Sequence, residues 1–136
     1  MNGLMIGSVA KLAKVNIETM RYYERRGLVP RPLRNASNYR LYPIHTVDRV
    51  RFIKHAQELG FTLKEIMELL ILRVNRSANS AEVRRRVQSK IEDIDVKIAS
   101  LRAKKDSLSK LVKKCSGMRG SSPCSILASM DLAASR

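Results

Sequence analysis

Two cysteines, Cys115 and Cys124, are the residues of this chain suited to soft-metal or redox chemistry. They bound the eight residues SGMRGSSP, rich in Gly and Ser. Two thiolates that share one ion through bonds of ~2.3 Å need sulfurs roughly 4–5 Å apart, and a loop of this length and composition permits that. Soft thiolates select Cu(I), Ag(I), Au(I) or Hg(II), and Zn, Cd or Pb when further ligands exist. Spacing alone leaves three uses open: inert thiols, a redox pair or a metal site. An iron–sulfur cluster usually takes four cysteines, and this chain has two. His45 and His55 lie far from the cysteines in sequence and are not expected to be ligands.

A second constellation suits nucleic acid. In ETMRYYERR, residues 18–26, positions three and four apart share a helix face, which aligns Glu18, Arg21, Tyr22 and Arg25. Arginine forks to guanine edges or phosphates, and Thr and Tyr hydroxyls suit phosphates. Thr19, Arg21, Tyr22, Arg25 and Arg26 are therefore candidate DNA-contacting residues. The whole chain carries a formal charge of +15, with a pI near 10.5. Residues 1–54 hold eleven Lys/Arg against three Asp/Glu. Self-repulsion of that size favours a polyanionic partner, with nucleic acid ahead of an anionic membrane.

Other classes lack their parts. There is no Ser/His/Asp constellation, phosphate-cradling glycine loop or paired carboxylate, so an enzyme is not expected. No apolar run approaches the ~18 residues that span a bilayer. MNGLMIGSVAKL lacks a basic region before a long apolar core, so the expected location is cytoplasmic, where cysteines more often remain thiols.

These residues need elements to hold them. Ile6, Val9, Leu12 and Ala13 have helical spacing, with Gly7-Ser8 as the start. Asn16 is an N-cap for a second short helix, with Thr19 at its third position and Gly27 ending it. Two short helices, a tight turn and a basic, aromatic second helix read as a helix-turn-helix. LVPRP cannot continue a helix. Leu33–Tyr42 then reads as a short hairpin, a wing, turning at Asn-Ala-Ser-Asn. Thr46 or Asp48 would cap a third helix reaching about Leu59, with Gly60 as its stop. Tyr23 and Phe52 are candidates for the core. Thr62 and Glu65 form a capping box for a fourth helix to about Leu72.

After a polar break at residues 73–79 the pattern changes. Val83, Val87, Ile91, Ile94, Ile98, Leu101, Leu108 and Val112 form an a/d seam, interrupted at Lys105. One long helix with a single apolar stripe needs a partner helix, and a homodimer supplies it. The expected fold is mainly α. A winged helix-turn-helix domain at residues 1–75 precedes a dimerisation helix at 80–114, and a metal-binding loop and tail fill 115–136. Ile126–Met130 would add one helical turn.

IGSVAKLAKVNIETMRYYERRGLVPRP, NYRLY, VRFIKHAQELGFTLKEIMELL and CSGMRGSSPCSIL together resemble the MerR family of transcriptional regulators, in its metal-sensing branch. The resemblance runs from Met5 to about Met130. It implies a homodimer with an antiparallel coiled coil, promoter DNA distorted between its elements, and RNA polymerase as the further partner there. It supports Thr19, Arg21 and Tyr22 on the recognition helix and adds Tyr39 and Arg40 in the wing. Arg51 and Lys54 are weaker candidates, for phosphate contact. It also implies that Cys115 and Cys124 hold the metal.

Members that answer divalent ions resemble one another in a third cysteine at the start of the dimerisation helix. This chain has Ser80 there, as do members sensing monovalent ions. Ser80 thus favours Cu(I), Ag(I) or Au(I). The eight-residue spacing and CSILASM are closer to mercury-responsive members, so Hg(II) is the alternative ion. Another divalent ion and a thiol redox sensor remain as further alternatives.

Overall fold

The computed structural model describes residues 3–115 and 124–134. They fall into two units, residues 1–87 and 88–136. In the first, helix α1 (Ile6–Ala13) is followed by α2 (Ile17–Arg25). Alternating burial builds this pair: Val9, Ala10 and Ala13 on α1, and Met20 and Tyr23 on α2, face the core. Leu12, apolar at the same helical spacing, is half exposed at 48%. The helix starts at Ile6 after Met5, so Gly7-Ser8 lie within its first turn instead of preceding it. Asn16 caps α2 as expected, its Oδ1 accepting the Thr19 N–H at 2.7 Å. Gly27 follows at φ +76°, in the left-handed region that glycine enters without a Cβ clash.

The wing is smaller than a full hairpin. Arg34 and Arg40 form an isolated antiparallel bridge. Asn35 closes its turn, its Oδ1 accepting the backbone N–H groups of Ser37 and Tyr39 at 3.0 Å. The two-stranded sheet lies beside it, where β1 (Gly3–Leu4) pairs antiparallel with β2 (Tyr42–Pro43). The N-terminal residues thus take the strand positions that the wing was expected to hold itself.

Helix α3 (Thr46–Glu58) and helix α4 (Leu63–Leu72) complete the head. Neither Thr46 nor Asp48 caps α3: Thr46 is its first residue and is buried, and His45 precedes it without a side-chain cap. The capping box of α4 is present, with Thr62 Oγ1 accepting the Glu65 N–H and Glu65 accepting the Thr62 N–H at 2.8 Å. Val47, Val50, Ile53, Ile66 and Leu70 close the core over Met20 and Tyr23. Tyr23 is core, as one reading of its position has it, and its hydroxyl donates to Gln57 Oε1 at 2.6 Å. Phe52 packs against the core while half-buried, with the Arg73 guanidinium 5.1 Å from its ring centre.

The polar segment 73–79 is a capped junction and not a break. A 3₁₀ turn, Arg73–Asn75, runs into helix α5 (Arg76–Lys114), which therefore begins before Ser80. Asn75 Oδ1 accepts the Ala78 N–H at 3.1 Å, and Asn79 Nδ2 donates to the Leu72 carbonyl at 2.9 Å. Short polar side chains satisfy the loose ends of both helices, so the composition is polar although the backbone keeps turning. Arg86 adds ion pairs to Glu82 on its own helix and to Glu68 on α4.

The 39 residues of α5 span about 58 Å at 1.5 Å per residue. Its apolar stripe is uncovered: Val87, Ile91, Ile94 and Ile98 are 39–46% exposed. In the second unit, helix α6 (Ser125–Ala134) is longer than the single turn expected. Residues 116–123, the interior of the cysteine loop, lie outside the described residues. The N-cap makes a direct prediction. Asn16→Ala should destabilise the head by about 1 kcal/mol, read as a lower urea midpoint. An unchanged midpoint would mean that packing alone holds α2.

Candidate thiolate site and nucleic-acid interface

Helix α2 buries Met20 and Tyr23 and so turns Arg21, Tyr22, Arg25 and Arg26 outward, all of them exposed. Thr19 is half-buried, and its Oγ1 donates to Asn16 Oδ1 at 2.9 Å. The Arg25 guanidinium sits 6.0 Å from the Tyr22 ring centre. Across from α2, the wing presents Tyr39, exposed, and Arg40, half-buried. Arg21, Arg25, Tyr39 and Arg40 line one cleft of about 480 Å³. Five of the predicted residues therefore share a surface: these four, with Tyr22 beside Arg25.

Arg51 and Lys54 also bond within the head. Arg51 Nη2 donates to the Leu12 carbonyl at 2.8 Å, and Lys54 Nζ to the Lys14 carbonyl at 2.9 Å. Two cations from α3 thus satisfy carbonyls at the C-terminal end of α1, where the helix dipole favours positive charge. They fix the turn between α1 and α2. Sequence reasoning passed over Glu24, which lies in the same cleft with its side chain only 4% exposed. Its neighbour Tyr23 is core and Arg25 is solvent, so Glu24 falls at the seam between two helix faces. That seam was the available signal.

In the second unit the cysteines end and begin helices. Cys115 follows α5, its backbone N–H donating to the Leu111 and Val112 carbonyls at 3.2 Å. Cys124 precedes α6, and its carbonyl accepts the Ala128 N–H at 3.1 Å. Both are half-buried free thiols, with sulfurs 3.7 Å apart in a hydrogen bond. The backbone N–H groups of Leu127 and then Ile126, with Cys115 third, hold the Cys124 thiol below its ordinary pKa, against a smaller opposing effect of burial. Amide donors at a helix N-terminus favour a thiolate in this way. Beside it, Ser125 Oγ is buried with no hydrogen-bond partner among the described residues.

Among the described residues no group of three or more His, Cys, Asp or Glu converges as a metal site. The pair offers two sulfur donors, suited to a soft ion of low coordination number. His45 and His55 are exposed in the head. Ser80 is exposed near the start of α5, its hydroxyl donating to the Ser77 carbonyl at 3.4 Å. It borders an apolar cavity of about 360 Å³ with Phe52, Leu69, Leu72 and Val83.

A helix-turn-helix head, a wing and a long helix with an open apolar stripe define a class, the winged helix-turn-helix transcription regulators. Residues 4–71 match the MerR HTH family regulatory proteins, and residues 47–111 match the MerR DNA-binding region. The mercuric resistance operon regulatory protein of Serratia marcescens is 39% identical over 96% of this chain and 90% of its own length. The transcription regulator PbrR691 of Ralstonia metallidurans CH34, solved with lead(II), superposes with a TM-score of 0.83 at 36% identity, covering 93% of this chain and 99% of that one. The regulator MerR of Bacillus megaterium MB1, solved with mercury(II), gives 0.73 at 38% identity, covering 93% and 98%. The chain belongs to the MerR family of transcription regulators and is not an enzyme.

The helix-end environment of Cys124 makes a measurable prediction. Its alkylation rate by iodoacetamide, followed by peptide mass spectrometry in the Cys115→Ala protein, should rise with pH through a midpoint below the ~8.5 of a free cysteine. A midpoint at or above that value would show that the α6 amides do not hold the thiolate.

Proposed function

We propose that the protein is a metal-responsive transcriptional activator that binds promoter DNA as a homodimer in the cytoplasm and acts by distorting its operator for RNA polymerase. The observation that carries the metal reading is the Cys115–Cys124 pair, two free sulfurs 3.7 Å apart at the ends of two helices. Opening them to about 4.6 Å would admit a linear ion with two ~2.3 Å bonds. The described residues contain no helix long and apolar enough to cross a membrane. The open stripe of α5 supports the dimer, since burying Ile91, Ile94 and Ile98 against a second copy removes apolar surface that one chain leaves in water.

DNA contact falls to Thr19, Arg21, Tyr22, Arg25 and Arg26 on α2 and to Tyr39 and Arg40 on the wing. Arg51 and Lys54 support α1 and meet phosphates secondarily. The effector is a soft ion, and Cu(I), Ag(I) or Au(I) fits best. Two thiolates satisfy a linear monovalent ion without a further charged ligand. In the dimer, Ser80 of a second copy would lie near the metal loop and add no charge for a divalent ion. Hg(II), which also accepts two linear thiolates, is the second reading. The likeness to a mercuric resistance regulator favours it. A redox switch would instead draw the sulfurs to about 2.05 Å in a disulfide, and titration with metal under reducing conditions separates the two.

In vitro transcription with Cu(I), Ag(I), Hg(II) and Zn(II) under anaerobic reducing conditions tests this reading. Cys115→Ser and Cys124→Ser should each abolish metal-dependent transcription and leave DNA affinity nearly intact. Ser80→Cys should widen the response toward divalent ions. Full induction in the double Cys→Ser protein overturns the site, and strong Zn(II) induction of the unmodified protein overturns the monovalent assignment. Ile94→Asp places a charge in the α5 stripe and should yield monomers in sedimentation at micromolar concentration, from a dimeric parent.

A further inference from the structure

The cleft between α2 and the wing contains a buried acid among bases. Arg21, Arg25, Arg31, Arg34 and Arg40 line it, and Glu24 is its one carboxylate. One Glu24 oxygen, Oε2, lies 3.6 Å from Arg31 Nε, a loose ion pair. The other, Oε1, is buried and has no hydrogen-bond partner among the described residues. A carboxylate oxygen kept from water without a donor is costly, so Oε1 calls for a partner.

The neighbours narrow down that partner. Arg25 is stacked near Tyr22, Arg31 holds Oε2, and Arg34 Nη1 donates to the Asn38 carbonyl at 3.0 Å. Arg21 and Arg40 remain. Arg21 shares α2 with Glu24 in the less favourable order, base before acid. Arg40 comes from the wing and is half-buried. We propose that Glu24 is a positioning residue for DNA reading: on the operator its Oε1 accepts the Arg40 guanidinium, which docks the wing onto α2 and leaves Arg21 for the base edges.

This rests on the DNA-binding reading above and deepens it. The two alternative roles of Glu24 predict different signs. If Glu24 acted only through charge, removing it would strengthen binding to every DNA alike, because the surface becomes more basic. If it acted only in folding, its removal would lower stability and weaken binding to every DNA alike. As a positioning residue it changes the ratio between operator and random sequence.

The experiment uses the full-length protein, an inverted-repeat duplex recovered by the unmodified protein from a random pool, and a scrambled duplex of the same length. Glu24→Gln and Arg40→Gln should each lower the operator-to-scrambled affinity ratio by about tenfold, the size of one lost specific contact. The double variant should be no worse than either single one, as expected for two partners in one interaction. Glu24→Gln should hold or raise affinity for the scrambled duplex. An unchanged ratio in Glu24→Gln, or losses that simply multiply in the double variant, overturns the proposal. If Glu24→Gln does not fold, guanidinium NMR of the unmodified protein decides. A slowly exchanging Arg40 Nη–H signal on the operator, missing on the scrambled duplex, is expected, and its absence overturns the proposal. Failure of the unmodified protein to enrich any sequence would instead remove the DNA-binding reading itself.

Discussion

Everything the head offers to DNA depends on how α2 is anchored. A helix of nine residues does not hold its shape alone in water. Met20 and Tyr23 insert into the core, and the Tyr23 hydroxyl reaches Gln57 on α3. With those two side chains fixed, the remaining positions have no freedom of direction. Residues one and two steps away, Arg21, Tyr22 and Arg25, must face outward. The apolar anchor and the basic display are two sides of the same nine residues, so the packing energy of the core sets the orientation of the arginines.

Charge then organises what packing has oriented. The first 54 residues carry eleven basic side chains against three acidic ones, yet the bases do different work. Arg51 and Lys54 spend their hydrogen bonds on the carbonyl end of α1, and Arg49 Nε donates to the Leu28 carbonyl at 2.6 Å beyond the end of α2. These three cations brace the backbone on which the exposed arginines stand. All three bonded cations sit on α3, while the exposed arginines of the head include Arg21, Arg25 and Arg26 on α2.

The local signals of the sequence were read where one side chain decides one turn. Asn16, Gly27, Gly60 and the Thr62–Glu65 box each stand at the end they announce, because a cap acts within three or four residues. Other signals were less direct: neither Thr46 nor Asp48 caps α3. The wing's second strand pairs with Gly3–Leu4, some forty residues away, and no local pattern carries that pairing. The polar run at 73–79 suggested a break, although Asn75 and Asn79 use their polarity to join two helices. At the site, the basic face and the cysteine pair were legible from residue type. Glu24 was less so: its place between a core residue and an exposed one hints at a seam, but its contact with Arg31 lies beyond the helix.

The two sulfurs sit at ends of opposite polarity, one after the carbonyl end of α5 and one at the amide end of α6. The amides of Ile126 and Leu127 favour negative charge on Cys124. An ion joining both sulfurs would therefore fasten one helix end to the other. A ligand shifts a conformational equilibrium only by its differential affinity for the two states. Here that difference would lie in how closely α5 and α6 bring the sulfurs to bonding distance. Cys115 directly follows the 39-residue α5, so the site and the apolar stripe share one helix.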